Sequence, residues 1–322
     1  MRETNIEWPD STVNPTTGCE GCELWNGRDI RTCYAGNMHE NRLAKSLKTL
    51  YAPNFQEVRQ VPGRMAKAAA WSDLRGTERP DKPWLNGLPR LIFVGDMGDF
   101  CSKQVPDDYI KREIFGAIES KNGQRHFWLL LTKQIARLAS LSEKWGGLPD
   151  NCMAMTTVTT QPTADTRIPA LLKVRCKWHG VSAGPLWGPV GFGKWLPFRP
   201  TVEQLGSGLT SIALRDCPKI NWVIVEGEDG ASYKNPMNPA WAQFLRDQCV
   251  KAGVPFFFKQ WGNQITERQA MMSGIYRDLF DSNSAGVSAF GNEMLFRVRK
   301  EFAGSKLDGV EWKQMPNIGG NQ

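Results

Sequence analysis

Arg90-Leu-Ile-Phe-Val-Gly-Asp-Met-Gly-Asp99 decides the fold. Five residues with no polar alternation read as a strand buried on both faces, and the turn residues Gly95 to Asp99 close it. A helical pattern from about Asp107 to Ser120 follows, and then a second apolar run, His126-Phe-Trp-Leu-Leu-Leu131, ending at Thr132-Lys133. Strand, helix and strand in that order form a parallel βα unit.

The same alternation continues toward the C-terminus. A helix over Ile135 to Leu141 leads to a strand over Met153 to Thr160, and a helix over Ala164 to Leu172 leads to a strand over Lys177 to Ala183. Asn221 to Val225 is the next strand, running into Glu226-Gly-Glu-Asp-Gly230. Its helix spans Asn238 to Ala252, with Asn238 as N-cap and Pro239 at the first helical position. Val254 to Phe258 is the last strand of the series, ending in Lys259-Gln260.

Counting one strand ahead of the first loop, six or seven strands predict a partial or complete parallel (β/α) barrel of the TIM type. Its body covers residues 1–262, with an insertion at about 184–218 and a C-terminal extension over 263–322. The region from Gly184 to Pro218 reads as a lid or extra subdomain, and the tail carries a short element at Met294 to Glu301. In such folds chemistry collects on the loops at the carboxyl ends of the strands. Asp96, Asp99, Lys133, Thr159, Ser182, Glu226, Glu228, Asp229, Lys259 and Gln260 all fall there, although such residues also make ordinary turns.

Working back toward the N-terminus, the sharpest chemical signal is Thr17-Gly-Cys-Glu-Gly-Cys22 with Cys33 in Thr32-Cys-Tyr-Ala35. Three thiols on one glycine-rich loop are soft ligands for zinc or an iron–sulfur cluster. A structural zinc wants four closed ligands, usually as two paired knuckles. Cys19 and Cys22 make one knuckle, and Cys33 has no close partner; His39 and Cys101 are the candidate fourth ligands. Three cysteines with a vacant fourth corner favour a cluster that leaves one iron open to a small molecule. Cys152, Cys176, Cys217 and Cys249 lie in or beside apolar runs and read as small core residues. After Cys33 the amphipathic run from Tyr34 to Tyr51 predicts a helix, and a second is expected over Ala66 to Leu74.

With 322 residues the chain can bury a large core. No apolar run is long enough to span a bilayer, and Met1-Arg-Glu-Thr-Asn-Ile-Glu lacks the apolar core of a signal peptide, so a cytoplasmic location with no membrane partner is expected. In that reducing compartment eight cysteines do not read as a disulfide framework. A net charge of +7 is compatible with a nucleic-acid or nucleotide partner and equally with a mildly basic enzyme, since no run of basic residues forms. Among thirteen tryptophans, Trp25, Trp71, Trp84 and Trp187 sit in loop-like contexts where a ring can stack on a base, the alternative being packing.

Thr17-Gly-Cys, Cys33-Tyr-Ala, Phe93-Val-Gly-Asp-Met-Gly-Asp99, Leu129-Leu-Leu-Thr-Lys133, Ser182-Ala-Gly-Pro-Leu-Trp-Gly-Pro189, Phe257-Phe-Lys-Gln-Trp-Gly262 and Leu307-Asp-Gly resemble, over nearly the whole chain, a phage-associated radical SAM-like family of largely uncharacterised proteins. The resemblance implies a 4Fe–4S cluster on Cys19, Cys22 and Cys33, with S-adenosylmethionine on the open iron and a 5′-deoxyadenosyl radical as the hydrogen-abstracting species. It implies cofactor-binding roles for Asp96, Asp99, Tyr34, Thr159, Ser182 and Glu226. Lys133, Glu228 and Lys259 are the substrate candidates, and a flavodoxin or ferredoxin is the electron donor. The spacing here is C-x2-C-x10-C rather than the usual C-x3-C-x2-C, and Gly184 stands where relatives commonly carry Glu. The implied activity is an isomerase or mutase reaction on a modified thymine base in phage DNA, in the cytoplasm of the infected host. Three alternatives remain open: a non-enzymatic zinc protein that binds nucleic acid, a radical SAM enzyme acting on a protein or metabolite, and a lyase acting on a DNA lesion.

Overall fold

A computed structural model describes residues 4–197, 219–229, 235–281, 286–290 and 293–319. Seven strands form one sheet in sequence order: β1 (Ser11–Val13), β2 (Arg90–Val94), β3 (His126–Leu131), β4 (Cys152–Val158), β5 (Trp178–Ala183), β6 (Trp222–Glu226) and β7 (Phe256–Gln260). The registers are parallel, as between β2 and β3, where Arg90 faces His126 and Val94 faces Leu130. Strands β1 and β7 stand at the two ends of the order, so the sheet is an open, partial version of the expected parallel barrel. Among the described residues no helix is long and apolar enough to cross a membrane.

Two compact units divide the chain. One comprises Met1–Thr157, Val174–Trp178 and Asn317–Gln322; the other comprises Val158–Lys173 and His179–Pro316.

In the first unit every residue of β2 is buried, including Arg90. Its guanidinium is compensated by the Ser72 carbonyl at 2.9 Å, the Ser72 hydroxyl at 2.9 Å and the Ser11 hydroxyl at 3.1 Å, as a buried charge requires. Strand β3 has the same character; Trp128 is fully buried and its indole N–H donates to the Gly123 carbonyl at 3.0 Å.

The helix expected over Tyr34 to Tyr51 is shorter. Helix α1 begins as an α-helix (Tyr34–Met38), widens into a π-helical turn (His39–Leu43) and closes as α (Ala44–Ser46). Leu47 then leaves the helical region at φ −127°, so the leucine spacing through Leu50 packs a turn rather than a helix. Helix α2 (Arg64–Ala69) also stops early. Helix α3 (Asp107–Tyr109, Ile110–Phe115 and Gly116–Glu119, its middle part π-helical) and α4 (Ile135–Lys144) stand where the pattern predicts.

In the second unit α5 (Gln161–Leu171) follows β4, and α6 (Pro239–Ala252) follows β6. The α6 start is as expected: Asn238 accepts from the Ala240 N–H at 2.9 Å, with Pro239 at the first helical position. Strand β7 runs two residues past the apolar stretch, because Glu226 pairs with Gln260; Lys259 and Gln260 are thus strand residues, not a following loop. The element expected at Met294 to Glu301 is a strand and a helix: β10 (Glu293–Arg297) forms an antiparallel sheet with β8 (Gln264–Thr266) and β9 (Gly286–Ala289), and a short helix, Lys300–Ala303, follows.

Residues near the end of the tail lie against the last strands. The Phe258 N–H donates to the Trp312 carbonyl at 2.7 Å, and the Trp222 indole to the Gln314 carbonyl at 3.0 Å. Asp308 of the Leu307-Asp-Gly motif accepts from Gln243 at 2.8 Å, from Arg246 at 2.5 Å and from Gln269 at 2.7 Å, which makes this motif a clamp on α6. Most of the expected 184–218 insertion, from 198 on, lies outside the described residues, as do Cys217 and Gly230.

Candidate functional site

The cysteine loop of the first unit is laced to the loop that leaves β2. Gly18 donates to the Met97 carbonyl at 3.2 Å, and Asp99 donates back to the Gly18 carbonyl at 3.2 Å. A Cβ on Gly98 would lie 2.6 Å from the Gly18 carbonyl oxygen, so the two backbones touch only because residue 98 has no side chain. Gly18 itself has φ +86°, in the region that favours glycine. Thr17-Gly-Cys and Gly-Asp-Met-Gly-Asp are therefore two halves of one structure.

Further bonds hold each cysteine. Cys19 donates its N–H to Phe55 at 2.8 Å, Cys22 pairs with Trp25 in both directions at 2.9 and 3.0 Å, and Cys33 donates to Leu24 at 2.9 Å. Between the first two cysteines, Glu20 accepts from the Ser102 hydroxyl and the Lys103 N–H, both at 3.2 Å. Beneath them lies an apolar cluster of Trp25, Ala35, Tyr51, Phe55 and Met97, with Cys19 and Cys33 packed on it. Glu40, in the π-helical turn, bonds the Phe55 N–H at 3.1 Å and pairs with Arg31, whose guanidinium lies 4.6 Å from the Trp25 ring centroid.

All three thiols are free and half-buried. Burial, then the Asp99 charge, pushes the Cys19 thiol far up, and burial raises that of Cys22. Lys133, half-buried at the end of β3, is the nearby cation. Burial alone would lower its ammonium, but the negative charge available from Cys22, Cys33, Glu23 and Cys19 outweighs that and raises it. Among the described residues no three His, Cys, Asp or Glu side chains stand gathered as a ready metal shell. The donor set of three soft sulfurs beside one cation fits an iron–sulfur cluster.

Neither candidate fourth ligand stands ready. The His39 ring is buried, its Nε2 bonded to the Ala52 carbonyl at 2.7 Å and its Nδ1 facing no partner among the described residues. Cys101 is fully buried, and burial followed by Asp99 drives its thiol well above the usual range.

The acidic pair Asp96 and Asp99 divides into two environments. Asp99 is buried and accepts from the Thr132 hydroxyl at 2.6 Å, the Cys101 N–H at 2.9 Å and the Lys133 N–H at 3.0 Å, so it ties the end of β3 to the β2 loop. Asp96 is half-buried and accepts from the Asn14 amide at 2.5 Å. Burial raises its carboxyl above the ordinary range, with Asn14 and Thr12 pulling it partly back. Tyr34, exposed and next to Cys33, donates its hydroxyl to the Asp96 carbonyl at 2.8 Å.

The second unit holds the remaining candidates. Glu226 accepts from Lys259 in an ion pair and from Gln260 at 3.3 Å. A Cβ on Gly184 would lie 2.2 Å from Glu226 Cγ and 2.9 Å from its Oε1, so the Glu226 side chain fills the space that a side chain at residue 184 would need. Glu228 is buried and accepts from the Trp187 indole and the Asn235 amide, both at 2.8 Å. Thr159 and Ser182 are buried, and the Thr159 hydroxyl has no partner among the described residues.

Of the tryptophans considered for base stacking, Trp25 is 1 % exposed with its ring against Gly36, so it packs and does not stack. The Trp84 indole is tied to the Glu7 carbonyl at 3.1 Å, while Trp71 and Trp187 are half-buried. The bracing roles of Asn14, directly after β1, and of Glu20, in the loop that follows, do not show in the sequence, because both depend on contacts with the loop after β2.

The chain belongs to the family described as "Protein of unknown function (DUF5131)", whose model matches residues 3–316. No curated protein and no solved structure matches it.

Proposed function

We propose that this member of the DUF5131 family is a radical S-adenosylmethionine enzyme that holds a 4Fe–4S cluster on Cys19, Cys22 and Cys33 and acts on a modified thymine base in DNA, with isomerase or mutase chemistry. The observation that carries the reading is the three-thiol loop laced through Gly18 to the Gly95–Asp99 loop, at the carboxyl end of a strand in a parallel sheet. Ligands in folds of this kind gather at that end. When bound, the cluster and S-adenosylmethionine supply one-electron, hydrogen-abstracting chemistry that no side chain offers.

The chain's own residues then have separable tasks. Cys19, Cys22 and Cys33 bind the cluster. Asp96, a carboxylate that burial disfavours as an anion, gains from a cationic partner and is assigned to the methionine ammonium of S-adenosylmethionine. Tyr34 fixes the Asp96 backbone from the cysteine side, and Asp99 keeps Thr132 and Lys133 in register. Glu226 with Lys259, and Glu228 with Trp187, offer charged and aromatic groups for the substrate. The net charge of +7 accords with a DNA substrate, and a flavodoxin or ferredoxin would deliver the electron.

Two measurements test this reading. Protein purified without oxygen is assayed for iron, sulfide and zinc, with cluster iron expected; tight zinc without iron would replace the reading with the metal-stabilised nucleic-acid protein. DNA from phage carrying or lacking the gene is digested and its nucleosides compared by mass spectrometry. An unchanged base composition, together with no DNA binding, removes the thymine substrate.

A further inference from the structure

We propose that the exposed face of helix α1, beside Cys33, is the docking surface for a small acidic protein that carries one electron. This deepens the cluster reading above, which needs such a donor, and rests on it.

The first support is apolar exposure. Four of the ten large hydrophobic side chains exposed among the described residues, Ile30, Tyr34, Met38 and Leu47, fall in the short segment that runs from the cysteine loop to the residue after α1. Exposed apolar side chains gathered in one place mark an interaction surface, whereas single ones scattered over a protein do not. Tyr34 and Met38, 46 % and 41 % exposed, stand one turn apart on α1, while Ala35, Gly36 and His39 are buried beneath them. Tyr34 follows Cys33 directly, so this face begins at the tricysteine site.

The second support is charge. Arg42 and Lys45 continue the exposed face for a total of roughly 16 Å from Tyr34, at about 1.5 Å per residue. Neither pairs with a carboxylate among the described residues. The one acid between residues 34 and 52, Glu40, is neutralised by Arg31. The face is therefore cationic as well as apolar.

That combination fits an acidic protein better than a nucleic acid. Phosphates answer the two cations but offer nothing to Ile30, Met38 and Leu47, whereas methionine and aromatic side chains are enriched where proteins meet. Charges at the rim of such an interface set its association rate and salt dependence. A carrier seated here stands beside Cys33; it is oxidised by one electron as the cluster is reduced by one, and no atom is transferred.

The experiment uses flavodoxin as the probe and compares the full-length wild type with Met38→Asp and with the double variant Arg42→Glu, Lys45→Glu. Equilibrium binding is read at low and high salt, in protein with and without reconstituted cluster, followed by the rate of cluster reduction by reduced flavodoxin and by dithionite. These side chains are exposed, and melting and iron content, both expected to match wild type, are the folding controls. The double variant should bind roughly tenfold more weakly at low salt, with the difference shrinking at high salt. Met38→Asp should weaken binding at either salt. Reduction by flavodoxin should slow in both variants, and reduction by dithionite should not change. Wild-type binding and reduction in the folded variants would overturn the inference alone. Lost DNA binding with flavodoxin binding intact would give the face to nucleic acid and overturn it as well. A wild type that takes up no cluster would overturn the reading beneath it, and the inference with it.

Discussion

Gly98 lies so close to Gly18 that a Cβ at residue 98 would stand 2.6 Å from the Gly18 carbonyl oxygen and 3.2 Å from its nitrogen. This contact joins the cysteine loop to the loop after β2, and its consequence is local. Gly98→Ala should cost about 1–3 kcal/mol by urea unfolding, the usual range for overpacking, and should lower iron uptake in parallel. Gly188→Ala, where an added Cβ meets nothing within 4 Å, should stay within about 0.5 kcal/mol of wild type. Equal effects at the two positions would remove the contact from the account.

Asp99 should matter more for assembly than for ligand affinity. Its carboxylate accepts from Thr132, Cys101 and Lys133, and Asp99→Ala strands those donors at a cost of about 1–3 kcal/mol for each that stays buried and unpaired. Asp99→Asn retains one acceptor oxygen and should fall between. Chemical denaturation of the three proteins checks the order.

Gly184 and Glu226 make a non-additive pair. Gly184→Ala places a Cβ 2.2 Å from Glu226 Cγ, which should displace the carboxylate and break its pairing with Lys259. Deleting the Glu226 side chain vacates that space. The double variant Gly184→Ala with Glu226→Ala should therefore be no less stable than Glu226→Ala alone, and a thermodynamic cycle measures the coupling. Additive losses would mean that the two positions do not compete for space.

Stability should fall with acid through a buried histidine. The His126 ring is buried, bonds the Ala69 carbonyl at 3.1 Å and has its other nitrogen unpartnered among the described residues. Burial holds its pKa below the usual imidazole value, with Arg90 and Arg125 adding to the shift and the Ala69 bond and Asp73 opposing it. The unfolded chain thus takes up the proton first as pH drops. The contribution of His126 is complete above about 6.5 and declines as pH falls from there toward its folded pKa. His126→Gln should flatten that part of the stability–pH curve; an unchanged slope would assign it to other groups.

Much of this architecture was legible because parallel strands buried on both faces leave continuous apolar runs. Arg90–Val94 and His126–Leu131 are read directly that way, and Asn238-Pro239 marks a helix start by its own chemistry. The stretch from Gly18 to Cys33 was legible as a loop from its glycines and polar residues, and it holds no helix or strand element. What escaped depends on contacts between distant segments. Leucines 43, 47 and 50 have helical spacing, yet Leu47 leaves the helix because residues 47–51 turn back to bond the Thr17 hydroxyl through the Leu50 carbonyl at 2.6 Å. Lys259 and Gln260 are polar, so the apolar run ends before them, while pairing with Glu226 extends the strand. Gly184 carries no sign in the sequence of what fills the space beside it, and only the fold places the Glu226 side chain there.

Cys19, Cys22 and Cys33 are proposed to hold a cluster with one iron open to S-adenosylmethionine. The most direct test is anaerobic reconstitution with iron and sulfide, followed by EPR of the reduced protein with and without S-adenosylmethionine, using Cys33→Ala as control. A cluster signal that shifts on addition of S-adenosylmethionine and is lost in the variant is the expected result. A wild type with no such signal, or a signal indifferent both to S-adenosylmethionine and to the loss of Cys33, would contradict it.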